Sequence, residues 1–502
     1  MNDSMMKGPS EAIDSPTSIE LANQTAVGEK YGTRSDESDM DRMGKLQELR
    51  RQFKFLTIFG FAVLLGSTWE YALIGIGISL YNGGAAGGIW LLVVVCFGMF
   101  FVTLSLAEMV SIYITGWLCV IAWQTGMAGT AFAVADQFTA LIVLNKPSYV
   151  IQGWHSTLLS IAITTFSILC NTVLVRKLPL LEGFGLVLHV FGFFAFVVVL
   201  WVMGERSDVT TTWTHFEDPS GWGNTGLATL VGILGPILTL GDPDLAVHLA
   251  EEVKDAAWVS PRAMVSTAVV NYSLAFIMTV TVFSTLGNDL DTLLATPLGQ
   301  PWIQILLNAT GSIVATNILV VLICSLLMFS SVNQVTASSR QLWSFARDQG
   351  LPFSNWFAYV PPGWDIPVNS VIATLVGTAL LSLINIGSAI AFNIVIALGG
   401  LGIFTANIIV IGCMIRKRVL GEPLLPSKFD LGKAGLYVNI IAITYLSLAI
   451  VLICFPEVPN PSLADMNWSI VMFAVLVVFA MGYYYVIGKD KYDGPVEYVK
   501  RQ

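Results

Sequence analysis

The chain has 502 residues, of which 55% are hydrophobic and 12% charged, and its formal net charge is −9. Soluble globular proteins carry roughly 25% charged residues, so this chain has too few charges to cover its apolar surface in water. The shortage of Lys and Arg argues against nucleic-acid binding, and the six cysteines lie far apart in apolar runs, which excludes a zinc site or a disulfide framework. The composition therefore predicts an integral membrane protein.

The first fifty residues differ from everything that follows. Residues 1–50 are rich in Ser, Thr, Asp and Glu and lack an apolar period, which predicts a disordered cytosolic tail that a kinase or ubiquitin ligase could modify. A small folded regulatory domain is the alternative, but it would have little to bury. We expect no cleavable signal peptide before the first apolar segment, because this stretch is polar.

Twelve apolar segments follow the tail. A membrane-spanning helix needs about 20 mostly apolar residues, so we expect twelve transmembrane helices within residues 51–488 and a short cytosolic tail over 489–502. The predicted spans are approximately 54–81, 88–108, 112–142, 155–174, 183–203, 226–249, 263–286, 303–333, 367–386, 390–415, 434–455 and 467–487.

The distribution of Lys and Arg supports this arrangement. With the N-terminus in the cytosol, every basic residue except Lys146 and Arg206 falls in a tail or a loop on the cytosolic side. Cytosolic loops of membrane proteins carry an excess of basic residues, and a miscounted span would place the later clusters on the wrong side. We therefore predict that both termini are cytosolic.

Two of the spans contain residues that interrupt helices. The first span carries Gly66, Ser67, Thr68, Trp69 and Glu70 in sequence. The sixth carries Gly235 and Pro236 and then Thr239, Leu240, Gly241, Asp242, Pro243 and Asp244. Gly and Pro weaken helices, and interrupted helices at corresponding positions of two halves indicate a transporter site. Alternatively, these Gly and Pro residues lie at ordinary packing contacts between neighbouring helices and mark no binding site.

Carboxylates inside the predicted spans lack a basic partner in the same segments. These residues are Glu70, Asp136, Asp242 and Asp244. A buried carboxylate is costly unless it is protonated, solvated or paired, so a cationic solute or a proton could be the partner. We favour this interpretation for Glu70, whereas for Asp136 we favour a position in water or a neutral form.

Histidine and tryptophan add two further candidates. His248 follows Asp244 by one helical turn, so the two could share a face and relay a proton, although a structural polar contact explains the spacing equally well. Trp69 lies at mid-span, where its ring could bind an ammonium group or simply pack. His189 fits a core residue. No phosphate loop, nucleophile elbow or metal-ligand spacing occurs, so we expect no enzyme, cofactor or metal.

Longer motifs recur in a fixed order along the chain. They are Gly66-Ser67-Thr68-Trp69-Glu70, Asn82-Gly83-Gly84, Ser105-Leu106-Ala107-Glu108-Met109, Tyr113-Ile114-Thr115-Gly116-Trp117, Val247-His248-Leu249-Ala250-Glu251-Glu252-Val253-Lys254, Ser338-Ser339-Arg340, Phe345-Ala346-Arg347-Asp348 with Leu351-Pro352, and Asp493-Gly494-Pro495-Val496. In these motifs the chain from about residue 50 onward resembles the fungal amino acid/choline transporter family, which includes GABA permeases and choline transport proteins and belongs to the amino acid–polyamine–organocation superfamily.

The resemblance implies an all-α fold of two inverted five-helix repeats plus two C-terminal helices. It also implies that the solute binds between unwound parts of helices one and six, where helix-end N–H groups hold a carboxylate, usually with proton coupling. Carried onto this chain, these segments are Gly66–Glu70 and Leu240–Asp244, and we add Thr239 to the substrate-binding candidates. The proton-coupling candidates, taken from the buried carboxylates and the histidine spacing above, are Glu70, Asp244 and His248. A charged cytoplasmic cluster is implied for gate or scaffold ion pairs, comprising Glu251, Glu252, Arg340 and Arg347.

The chain departs from the family pattern twice. Relatives carry a longer link between helices two and three, whereas here Met109 leads through three residues into Tyr113. A single helix over 88–142 would be on the order of 80 Å long, so a tight turn near 109–112 is expected. Either an exon is missing from the gene model or the inner gate is shortened. The second departure is Asp242, a carboxylate that should favour cationic solutes if it faces the cavity.

These observations predict a secondary transporter for a small nitrogenous solute, such as an amino acid, GABA, choline or a related amine, by proton symport. Export of a small metabolite is the alternative within transport. A non-transporting nutrient receptor or inactive paralogue is the alternative outside it. The expected partners are the solute, a proton and the lipid bilayer, and we place the protein in the plasma membrane in preference to the vacuole.

Overall fold

The protein is a bundle of long apolar helices. The computed structural model describes residues 32–42, 47–109, 116–241, 243–287, 290–387, 389–424, 428–456, 458–463 and 466–492. Within these ranges eleven helices are long and apolar enough to cross a membrane: Phe55–Tyr81, Gly84–Glu108, Gly116–Asn145, Gly153–Val173, Leu178–Met203, Ala256–Phe283, Ile313–Arg347, Val368–Gly387, Val395–Leu420, Gly432–Ile453 and Ser469–Lys491.

These helices confirm the predicted all-α membrane fold. We number them in chain order as spans 1–5 and 7–12, because a shorter apolar helical stretch, Thr225–Leu240, occupies the place of the predicted sixth span and is called segment 6. The count of twelve spans and the inverted repeat stay predictions. Of the predicted turn near 109–112, the structure describes only Met109, because residues 110–115 lie outside the described residues.

Span 1 is divided by its backbone. It consists of helices Phe55–Gly66, Thr68–Ile74 and Ile76–Tyr81, and Ser67 between the first two has φ 41° and ψ 43°. A non-glycine residue rarely adopts this left-handed conformation, and here the Ser67 hydroxyl donates a hydrogen bond to the Leu64 carbonyl at 2.7 Å. The interruption lies between two apolar cores, because residues up to Leu65 belong to one core and residues from Trp69 to the other.

Segment 6 ends earlier than the sequence predicted. Its helices are Thr225–Val231 and Leu234–Leu240, and the chain then continues in turns to a short 3₁₀ helix, Ala250–Glu252, before span 7. The predicted helix over 226–249 was therefore too long. Segment 6 crosses span 1 in backbone contact, since a Cβ added at Gly235 would lie 3.1 Å from the Gly75 carbonyl oxygen.

The predicted eighth span, 303–333, was misplaced. Residues Pro301–Thr310 form a separate helix, which ends at Gly311 because that glycine adopts a positive φ of 59°. The next helix begins behind Ser312, whose hydroxyl accepts a hydrogen bond from the Ala315 N–H. Span 8 therefore runs over Ile313–Arg347 and includes both arginines of the predicted gate.

Part of the N-terminal stretch lies against the bundle. Residues 32–42 and 47–53, here called the N-terminal strap, contact the chain between segment 6 and span 7. The backbone N–H groups of Gln52 and Phe53 donate to the Glu252 carbonyl, at 2.9 and 3.0 Å. The described residues of the predicted disordered tail are thus attached. We call this end of the bundle the tail side and the opposite end the far side.

Asp36 and Arg51 hold the strap in place. Arg51 donates to the Val253 carbonyl at 2.6 Å and lies 3.2 Å from the Asp36 carboxylate. Asp36 in turn accepts hydrogen bonds from the N–H groups of Asp255 and Ala256, so it caps the first turn of span 7, where a helix dipole favours negative charge. Burial opposes ionisation, but these hydrogen bonds and the Arg51 charge hold the pKa of Asp36 below its usual value.

This lowered pKa predicts how the strap responds to acid. A depressed pKa means that Asp36 stabilises the attachment while it is ionised, and that this contribution is lost as the pH falls through the folded-state value. Asp36→Asn should therefore release the strap even at neutral pH. We expect severalfold faster amide hydrogen exchange over residues 47–54, and no such change for Glu37→Gln, an exposed neighbour. Unchanged exchange in Asp36→Asn would contradict this role.

Candidate functional site

A cavity of about 480 Å³ lies beside the interruption of span 1. Its walls come from spans 1, 3, 7 and 10 and from segment 6, with Gln334 of span 8 also contributing. Along span 3 the wall extends from Ala122 to Gln137, which corresponds to about 22 Å of helix. The cavity is therefore long and runs from the middle of the bundle toward the far side, where span 3 ends at Asn145.

Three buried polar atoms in the cavity wall lack a hydrogen-bond partner. They are the indole Nε1 of Trp123, the hydroxyl of Thr267 and the side-chain oxygen of Asn271. Asn271 lies directly against the interruption, because its backbone carbonyl accepts a hydrogen bond from the Thr68 hydroxyl at 2.8 Å. An unpaired buried polar atom costs about 1–3 kcal/mol, so a bound molecule that satisfies these atoms would gain from doing so.

About half of the sequence-predicted binding residues line this cavity. On span 1 these are Gly66 and Thr68, and on segment 6 they are Thr239, Leu240 and Gly241. Ser67, Trp69, Glu70 and Asp244 are not among the lining residues, and Asp242 lies outside the described residues. The substrate-binding role of all ten stays a prediction.

Trp69 and Glu70 face span 5, where they meet His189. The Glu70 carboxylate lies 2.8 Å from His189 Nδ1, and the Trp69 indole donates to the same nitrogen at 3.2 Å. All three side chains are fully buried. The Trp69 ring packs against Phe193 and Phe196, so packing, and not an ammonium in the cavity, accounts for its position.

The predicted pair Asp244 and His248 is in contact. His248 Nε2 lies 3.1 Å from the Asp244 carboxylate and Nδ1 lies 3.0 Å from the Gln341 side-chain oxygen. The imidazole also packs edge-on against Trp123, with ring centroids 4.2 Å apart. Both ring nitrogens therefore face oxygen acceptors, directly behind one wall of the cavity.

The four charged residues predicted for a gate form two ion pairs on the tail side. Arg340 Nε lies 2.8 Å from a Glu252 oxygen, and Arg347 lies 2.5 Å from a Glu251 oxygen. The side chains of the first pair are 1% and 3% exposed, and those of the second 15% and 21%. None of the four lines the cavity. Since the strap binds the Glu252 carbonyl, the two ion pairs and the strap lie at the same end of the bundle.

Sequence reasoning missed several residues around the cavity. Asn271 is a lone amide within an apolar stretch of span 7, a signal that could have been noticed. His189 was predicted to be a core residue. Its contact with Glu70 was not predicted, because the two residues are 119 positions apart in the chain. Asp136, for which we favoured a position in water or a neutral form, lies in the cavity wall.

Comparisons with known proteins show which family the chain resembles. Residues 53–479 match the model of a family described as amino acid permease. The chain is 28% identical to an uncharacterized amino-acid permease of Schizosaccharomyces pombe, over 94% of this chain and 91% of that protein. It is 26% identical to amino-acid permease 2 of Neurospora crassa, with coverages of 97% and 93%, and 25% identical to a choline transporter of Saccharomyces cerevisiae, with coverages of 90% and 85%.

Gly66 provides a test of the cavity. A Cβ added at Gly66 would lie 2.8 Å from Asn271 Nδ2 and 3.0 Å from Leu245 Cδ1, so Gly66→Val should displace Asn271. We expect solute affinity to fall by roughly tenfold, as for the loss of one or two hydrogen bonds. Gly60→Ala is the matched control on the same helix, because its nearest neighbour would lie at 3.6 Å. Equal affinity in both variants would contradict a binding role for this wall.

The two ion pairs should differ in their contribution to stability. Removing one partner of a buried pair leaves an uncompensated charge and costs about 3–5 kcal/mol, whereas partly exposed pairs contribute about 1 kcal/mol or less. Arg340→Met should therefore lower the melting temperature of the detergent-solubilised protein much more than Arg347→Met. Similar losses in the two variants would show that burial does not distinguish the pairs.

Proposed function

The chain belongs to the amino acid permease family, and from this premise we propose that it carries a small nitrogenous solute through the cavity beside span 1 by proton symport. The proposed solute is an amino acid, GABA, choline or a related amine. Membership of the family already makes the protein a membrane transporter and not an enzyme. The choice of solute, the coupling to protons and the direction of transport are the parts that we add.

One observation carries the assignment of the solute site. The unpartnered atoms of Trp123, Thr267 and Asn271 combine one donor, one hydroxyl and one acceptor in a buried wall. A solute with an ammonium group can donate to the amide oxygen of Asn271, and a carboxylate or hydroxyl can accept from Trp123. The neighbouring interruption at Ser67 supports this placement, since irregular backbone at membrane depth is tolerated where it lines a cavity or is buried in protein.

We propose the Glu70–His189 pair as the proton-binding group. The Trp69 indole can only donate, so His189 Nδ1 can accept from it only when that nitrogen carries no proton. A protonated Nδ1 instead donates to the Glu70 carboxylate, and Trp69 then loses its acceptor. The two protonation states thus have different partners, and a change between them alters the contact between span 1 and span 5.

The Asp244–His248 pair is the less favoured candidate. Each pair contains one carboxylate oxygen that is buried without a partner, on Glu70 and on Asp244. The pairs differ in their histidines, because both ring nitrogens of His248 face oxygen atoms, whereas His189 Nε2 has no partner. We prefer the Glu70–His189 pair because Trp69 and Glu70 meet the same nitrogen of His189, so the protonation of that nitrogen decides which of the two it binds.

We further propose that the protein resides in the plasma membrane with its tail side in the cytosol. The basic residues on that side support the orientation. In this orientation the far-side end of the cavity points toward the medium, and an inward proton gradient would drive uptake by symport.

Uptake measurements test the function and its coupling together. In a permease-deficient host, the wild-type protein should accumulate a labelled amine or amino acid faster from acidic than from neutral medium. Glu70→Gln should remove most of this pH dependence, because the amide cannot exchange a proton. Binding of solute without accumulation would indicate a receptor and contradict the proposal.

The matched control is Asp244→Asn, which changes the other buried carboxylate next to a histidine. If Asp244→Asn abolishes the pH dependence and Glu70→Gln preserves it, the proton-binding group has been assigned to the wrong pair. Surface expression of each variant should be measured in the same cells, so that loss of folded protein is separated from loss of coupling.

A further inference from the structure

The far-side part of the cavity contains a carboxylate. Asp136 of span 3 is the one formally charged side chain among the described residues that line the cavity. It lies thirteen residues beyond Trp123 on the same helix, which corresponds to about 20 Å along the axis. Asp136 is therefore well separated from the unpartnered atoms beside the interruption of span 1.

The neighbourhood of Asp136 leaves its charge largely uncompensated. The Ser156 hydroxyl donates to it at 3.5 Å, which is at the long limit for a hydrogen bond. In the part of the chain that the structure describes, no Lys or Arg forms an ion pair with it. The adjacent Gln137 cannot replace such a partner, because its side chain binds the Trp302 indole and the Ala133 carbonyl.

A carboxylate at this depth needs a positive partner. An unpaired charge within a membrane bundle is unfavourable unless it meets water or an opposite charge, and the cavity gives access to a solute. Since the other described walls contribute no charged side chain, a cation entering from the far side would meet one fixed charge, and that charge is negative. A neutral zwitterion would gain less, because its own carboxylate would be repelled.

We propose that Asp136 is a specificity-determining residue that binds an ammonium group and makes the cavity prefer solutes with a net positive charge. This inference rests on the proposed function, since it assigns a solute preference to the same cavity. A diamine could place one ammonium at Asp136 while the rest of the molecule lies along the apolar part of the wall. A solute that carries a carboxylate at one end would bind with lower affinity.

Putrescine and GABA are suitable probes, because they have chains of similar length but differ by a carboxylate in place of one ammonium. Their affinities for the purified full-length protein can be measured by calorimetry, independently of transport. We expect the wild-type protein to bind putrescine more tightly than GABA. Asp136→Asn should weaken putrescine binding roughly tenfold, as expected for the loss of a hydrogen bond to a charged group, and should change GABA binding much less.

Asp136→Glu is the control, because it keeps the charge and should keep the preference for putrescine. Unchanged putrescine affinity in Asp136→Asn would overturn the inference. It would mean that Asp136 is an uncharged structural residue, which the Asn side chain can replace. The inference would also be overturned if Asp136→Asn lowered the affinities for putrescine and GABA equally and Asp136→Glu restored both affinities. If the wild-type protein binds GABA without preferring putrescine, the proposed function stands and this inference fails. If the wild-type protein binds neither probe nor any other amine or amino acid, both fail.

Discussion

The structure depends on the requirement that polar groups inside a membrane bundle find partners within the protein. Lipid cannot hydrogen-bond to a backbone that leaves the helical conformation or to a buried side chain. At Ser67 the requirement is met locally, since the hydroxyl binds the Leu64 carbonyl, and across the bundle, since Thr68 binds the Asn271 carbonyl. The residues that carry unpaired atoms beside this point belong to the cavity wall, and we propose that a solute completes the network there.

The same requirement explains what the sequence could predict. Long apolar segments and the placement of Lys and Arg were enough to predict an all-α membrane bundle, because both follow from the bilayer. The Asp244–His248 pair was also suggested, by its spacing, and a charged cluster that contains Arg340 and Glu252 was suggested by family resemblance, without the pairing. Helix ends were predicted less well, as at Gly311, where one glycine separates two helices in front of span 8, and at the end of segment 6, which lies at Leu240.

Contacts between distant parts of the chain were not predictable. Glu70 was singled out as a lone carboxylate, but its partner His189 lies on another span, and periodicity carries no information about which helices pack together. The position of Asp136 depends likewise on how span 3 is rotated in the bundle. A sequence therefore identifies unusual polar residues in apolar segments, whereas the fold decides which of them face a cavity and which face one another.

The crossing of Gly75 and Gly235 has a mechanical consequence. Because no side chain separates the two backbones there, the far-side half of span 1 and segment 6 pack closely, and we expect them to move together. The chain that follows segment 6 leads to the tail side, where the N-terminal strap binds it next to Val253. We therefore expect the attached strap, which lies far from the cavity, to restrain movement of the chain between segment 6 and span 7.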